Sequence, residues 1–186
     1  MDLMLLRLFQ KQVLFQCEAV MFAASGINAA VENHDLKFLF YEMQNLLNAT
    51  ANISKALWGQ RGKLSNQRKD LRESIGVSDN SPLKVVQMRN NFEHFDERLD
   101  AWWRYSKRHN YLDFSAAAKS SVTGLDPIDW FRVYDASTTD LYFWSQEFNI
   151  QEIISEIKKI YPKLQEEANK PHFEAVSQSA PEEAKG

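Results

Sequence analysis

Apolar residues recur at three- and four-residue steps over the start of the chain: Leu6, Phe9, Val13, Cys17, Val20, Ala24, Ile27 and Val31. At about 100° of rotation per residue these positions form one stripe, which predicts a long helix burying one face. Gly26 marks a point of close packing within it. After Asn33 and His34, Asp35 is an N-cap, because its carboxylate can accept from the free N–H groups of a first turn. Leu36, Leu39, Met43, Leu46, Ile53 and Leu57 then predict a second long helix. The short connection implies an antiparallel pair.

Gly59-Gln60-Arg61-Gly62 interrupts the pattern, and Leu64, Leu71 and Ile75 predict a shorter helix that Gly76 terminates. Ser81-Pro82 opens the next helix, serine as cap and proline at a first position where its missing N–H is no loss. Its stripe is Val85, Met88, Phe92, Phe95, Leu99 and Trp102, reaching towards Arg108. From Tyr111 to Trp130, Ser120, Ser121, Thr123, Gly124 and Asp126-Pro127 predict an irregular connection. Phe131 to Tyr134 and Leu141 to Trp144, around Asp135 to Asp140, predict a small β-hairpin. Asn149 and Glu152 resemble a capping box, and Ile153, Ile157, Ile160 and Leu164 carry a last helix with Pro162 as a kink point.

The expected fold is therefore mainly α: a single domain over residues 1–170, a bundle of about five helices with a β-hairpin appendage at about 131–144 before the last helix. The Pro, Ser, Glu and Ala content of residues 171–186 predicts a disordered tail. A length of 186 residues is enough for one core, and 12% aromatic content with a formal charge of -3 separates the chain from disordered sequences. Cys17 is the sole cysteine, which excludes an intramolecular disulfide and fits a reducing, cytoplasmic setting. Asp2, Arg7, Lys11 and Glu18 interrupt the apolar N-terminus, which does not read as a signal peptide. The uncharged run Ala19 to Val31 falls short of the about 20 residues a bilayer needs, so no membrane span is expected.

On the helix predicted from Ser81, Asn90 and His94 lie one above the other, roughly opposite the Phe92 stripe. Arg89 is in line with Glu93. Five residues separate Arg89 from His94, so one helix points them apart, and a second copy across a two-fold axis brings such groups together. The run Arg89-Asn90-Asn91-Phe92-Glu93-His94 resembles the motif of the HEPN superfamily, an arginine, a polar residue and a histidine a few positions on. The resemblance covers the helical body from roughly Leu3 to Arg108. It implies a HEPN-like helical dimer and a metal-independent ribonuclease of the toxin or defence kind, its composite site at the dimer interface.

His94 would act as acid or base for the ribose hydroxyl, Arg89 would steady the phosphate and Asn90 would orient one or both. Histidine titrates near neutrality and arginine offers paired planar donors, so the roles are chemically sound. The partners implied are a second copy, RNA, and an antitoxin or regulatory protein, with no cofactor. Toxin members controlled by a nucleotidyltransferase often carry a tyrosine two residues after the histidine, but Asp96 stands there. The alternative is a catalytically inactive HEPN-like interaction or RNA-binding module. On that view Arg89 and Glu93 form an i,i+4 surface pair of about 0.2–0.5 kcal/mol, with Asn90 and His94 solvated. The same arginine-to-histidine interval recurs at Arg104 and His109, where Tyr105 replaces the polar second residue, so spacing alone is weak.

Glu93, His94, Asp96, Glu97 and Asp100 suggest a metal, but adjacent Glu93 and His94 diverge and no facing Glu-x-x-His helix exists to complete a site; none is expected. Lys55, Arg61, Lys63, Arg68, Lys69 and Arg72 form the most basic stretch and are candidate RNA-phosphate contacts. Gly59 to Gly62 matches a KH-type GXXG loop without the flanking strands. Gly62-Lys63 lacks the serine or threonine of a Walker loop. Trp102, Trp103, Tyr105, Trp130, Tyr134, Tyr142, Phe143 and Trp144 are expected to pack the hairpin on the long helix rather than to stack bases.

Overall fold

The computed structural model describes residues 1–144 and 146–173; the predicted tail falls, from residue 174 on, outside the described residues. Among the described residues six α-helices and four strands run in the order α1 (Leu3–Glu32), α2 (Leu36–Trp58), α3 (Lys69–Ile75), α4 (Gln87–Glu93), α5 (Phe95–Tyr105), β1 (Ser115–Ala116), β2 (Val133–Asp135), β3 (Asp140–Phe143), β4 (Gln146–Asn149) and α6 (Ile150–Ala168). Asp35 caps α2 through the Phe38 N–H at 2.9 Å. Asn149 caps α6 through the Glu152 N–H at 2.9 Å. Gly76 ends α3 in the left-handed region. Pro162 lies within α6, which continues as one helix to Ala168.

The α1–α2 pair is antiparallel: Glu42 packs against Gly26, while Asn52 donates to Gln16 at 3.3 Å. A Cβ at Gly26 would sit 2.7 Å from the Glu42 Cγ, which is why this crossing needs glycine. α6 returns along α1, tied by the Arg7–Glu167 ion pair at one end and by the Tyr161 hydroxyl donating to Glu18 further along. Val13, Cys17, Val20 and Ile27 of α1 meet Met43, Leu46, Ile53 and Leu57 of α2 and Ile153, Ile157, Ile160 and Leu164 of α6 in the main core. By length and composition alone α1 is apolar enough to cross a membrane. In the fold its buried stripe serves that core, while Leu8, Phe15 and Phe22 remain exposed on its outer side.

Three expectations are corrected. The helix predicted from Ser81 to Arg108 is not continuous. Ser81 caps only a 3-10 turn at Pro82–Lys84, Val85 is extended and exposed, and α4 ends at His94, whose φ/ψ of -101°/41° separates it from α5. The bend lets Phe92 pack on Phe143 and Phe95 on both Phe131 and Phe143, contacts that two differently angled helices share over one sheet face. Buried Asn91 braces it, donating to Gln146 at 2.7 Å and accepting from the Arg98 Nε at 3.0 Å.

Second, the hairpin is not an appendage. β2 and β3 are the inner strands of a four-stranded sheet ordered β1-β2-β3-β4, with β1 parallel and the other pairings antiparallel. Tyr134, Leu141, Phe143 and Phe148 enter the main core, while Val133 and Tyr142 on the opposite face form a second cluster with Trp130. The two-residue β1 and the polar β4 lack the alternation that marks a half-buried strand. Third, Trp103 and Tyr105 are not core residues: they are 68% and 64% exposed, on either side of the Phe95, Leu99 and Trp102 stripe that packs against the core.

Candidate functional site

The turn from α4 to α5 carries the three motif residues. Arg89 bonds the Glu93 carboxylate, one turn on, and more weakly the Asn90 side-chain oxygen at 3.4 Å. The i,i+4 surface pair is thus formed. His94 is half-exposed at the break, its Nδ1 3.4 Å from Glu97 and its Nε2 4.0 Å from Glu93. Its backbone N–H still donates to the Asn90 carbonyl, and its own carbonyl accepts from Arg98, so the chain bends without losing the hydrogen bonds on either side. Glu93 thus stands between the guanidinium and the imidazole, a carboxylate within reach of both.

Arg89 also lines a cleft of about 560 Å³ between α4 and α2, with Gln44, Asn48, Asn52, Leu47, Phe92 and Glu93. Its Nε is buried and has no hydrogen-bond partner among the described residues. Gln44, Asn48 and Asn52 follow at i, i+4 and i+8 on the exposed side of α2, and amides at that interval stand in one row. Sequence reasoning missed these three. They read as the solvent face of an amphipathic helix, and nothing local shows that α4 packs beside them.

A second groove between α1 and α2, lined by Phe15, Phe22, Asn45, Asn48 and Asn52 among others, shares Asn48 and Asn52 with the first. No group of three or more residues able to hold a metal ion occurs among the described residues.

The basic stretch separates into different roles. Arg72 is 4% exposed and points inward: Nη1 donates to the Leu57 and Ser65 carbonyls, each at 2.8 Å, and Nε to Asp79 at 2.9 Å. It fastens α3 to the end of α2 and is not available to RNA. Arg68 lies over the Phe9 ring at 3.6 Å, and Lys69 is paired with Glu73. Lys55, Arg61 and Lys63 are exposed. Arg61 takes a positive φ of 54°, and the Gly59 to Gly62 segment forms a helix-linking turn without flanking strands. Compared with family models, with curated proteins and with solved structures, the chain finds no match.

Proposed function

We propose that the chain is a HEPN-like, metal-independent ribonuclease acting as a cytoplasmic homodimer, with Arg89, Asn90 and His94 as its reactive set. The supporting observation is the cleft that Arg89 lines together with Gln44, Asn48, Asn52 and Glu93, with half-exposed His94 following Glu93 at the helix break. A guanidinium pairs with a phosphodiester through parallel donors, and amides present donors and acceptors to sugar and base edges. In the reaction His94 takes the proton of a ribose 2′-hydroxyl as its oxygen attacks phosphorus. The bond to the 5′-oxygen breaks, that oxygen takes up a proton from the protonated His94 of the second copy, and Arg89 stabilises the charge gathered on the phosphate.

Glu93 competes with the phosphate for Arg89, so Glu93→Gln is expected to tighten RNA binding. Apolar material for pairing lies next to the cleft, since the groove of Phe15 and Phe22 borders it through Asn48 and Asn52. The decisive experiment is RNA cleavage in excess EDTA. Activity that survives chelation and disappears in both His94→Ala and Arg89→Ala supports the enzyme. Only monomer in light scattering at micromolar concentration removes the composite site.

The second reading is a catalytically inactive module that binds RNA or a regulatory protein, such as an antitoxin. It is favoured by the closed Arg89–Glu93 pair and by the acidic surroundings of His94. Absence of cleavage across several RNAs would decide for it.

A further inference from the structure

At the far end of α5 from His94, the chain reads Trp102-Trp103-Arg104-Tyr105-Ser106-Lys107-Arg108-His109-Asn110-Tyr111, without one acidic residue from Ala101 to Leu112. Arg104, Lys107, Arg108 and His109 are exposed, as are Trp103 and Tyr105. Among the described residues no carboxylate lies within ion-pair distance of Arg104, Lys107 or Arg108, although such pairs are common elsewhere on this surface. Trp103 touches Trp102 and His109 and Tyr105 lies by Arg104, yet both residues keep well over half of their surface in water.

The turn presenting them is nevertheless held firmly. Asp129, fully buried, accepts from the Ser106 hydroxyl at 2.8 Å and from the Trp102 indole at 3.3 Å. Ser106 Oγ in turn accepts from the His109 N–H at 3.0 Å. The His109 ring nitrogen Nε2 donates to the Trp103 carbonyl at 3.0 Å, and the two rings lie 4.5 Å apart. His109 itself adopts a left-handed φ of 52°, a conformation that costs a non-glycine residue energy and persists where surrounding contacts impose it. A buried carboxylate thus fixes a strained turn whose outward face is aromatic and cationic.

From this geometry we infer that the exposed Trp103–His109 corner, with the cations that flank it in sequence, is a binding site for single-stranded nucleic acid, separate from the Arg89 cleft. An unpaired base stacks on Trp103, and neighbouring phosphates pair with Arg104, Lys107 and Arg108. Stacking needs an unpaired base because a duplex hides both faces of each base, while the cations answer the backbone whatever its sequence. The inference goes beyond the proposed function, which fixes RNA as the strand in the cell but does not require this face.

The test uses fluorescence anisotropy of labelled oligouridylate, the same length of oligothymidylate and a blunt duplex, titrated with the full chain at several salt concentrations. The wild type is expected to bind both single strands more tightly than the duplex. Trp103→Ala should weaken binding about ten-fold. Lys107→Glu combined with Arg108→Glu should lower the slope of log affinity against log salt by about 0.7 for each phosphate that is no longer neutralised. Oligothymidylate has no 2′-hydroxyl to attack phosphorus, so its affinity reads this corner apart from the cleavage assay. Unchanged melting temperatures confirm that the exposed substitutions leave the fold intact. Unaltered binding in both surface variants overturns the assignment. So does binding to anionic phospholipid vesicles that depends on Trp103 while oligouridylate is ignored.

Discussion

At the scale of single residues, the same residue type serves opposite ends in this chain. Arg72 and Arg89 both stand in polar sequence, yet one is enclosed by the carbonyls of Leu57 and Ser65 and the other lines a cleft. Replacing Arg72 with methionine leaves those two carbonyls without a donor. It should lower stability by about 2–3 kcal/mol, read as a shifted denaturation midpoint, without changing RNA affinity of the folded fraction. Cys17 is completely buried on the α1 stripe; burial, reinforced by the nearby Glu18 charge, pushes its thiol up to about 12. The thiolate is the nucleophile, so Cys17 should resist a disulfide-exchange reagent at pH 8 and react fully once the chain is unfolded. Rapid native labelling would contradict the packing of α1.

Among the elements, the α4–α5 break matters most, because it places His94 at a corner rather than on the flank of one helix. Asn91 links both sides of that corner, to Gln146 in β4 and to Arg98 in α5. Asn91→Leu removes both hydrogen bonds from a buried site and is expected to destabilise by about 1–3 kcal/mol. Ribonuclease activity, where present, should fall more than stability, because His94 loses its fixed position. Equal loss in Asn91→Leu and in a core variant of matched stability would show that the corner has no positioning role.

For the whole molecule, a set of carboxylates connects the sheet and the helix bundle to pH. Burial opposes ionisation of Asp113, but the hydrogen bonds and charge of Arg132, with the Tyr111 hydroxyl, outweigh it and hold the carboxyl below the usual range. Asp135 is held low chiefly by the Ser137 hydroxyl and also by the Lys119 N–H. Glu167 is held low by Lys170, against some burial, with further help from Arg7. A depressed folded pKa contributes stability that is fully present above the unfolded values of about 3.9 for Asp and 4.3 for Glu, and lost as pH falls through the folded ones. Thermal melts should therefore hold a plateau down to about pH 5 in these groups and decline below about pH 4. Asp113→Asn should flatten that decline and cost about 2 kcal/mol at neutral pH, since Arg132 then lacks its charge partner. An acid limb unchanged in Asp113→Asn would remove the network from the account.

Helix periodicity by itself determined α1, α2 and α6 and the Leu71–Ile75 part of α3, which begins only at Lys69 and leaves Leu64 in a preceding turn, together with the caps at Asp35 and Asn149 and the stop at Gly76. These depend on interactions within a few residues, which composition and spacing record directly. The tertiary structure decided the rest. Ser115–Ala116 becomes a strand because Val133–Asp135 offers it hydrogen bonds from far along the chain, and no pattern in the Ser/Ala segment announces that. The Phe92 and Phe95 stripe reads as one helix until the sheet supplies two docking directions and the backbone turns at His94. The row of Gln44, Asn48 and Asn52 acquires Arg89 as a neighbour only when α4 packs on α2. Trp103 and Tyr105 are the same residue types as the core aromatics, and which rings are buried was decided by α5 laying its Phe95, Leu99 and Trp102 side on the body.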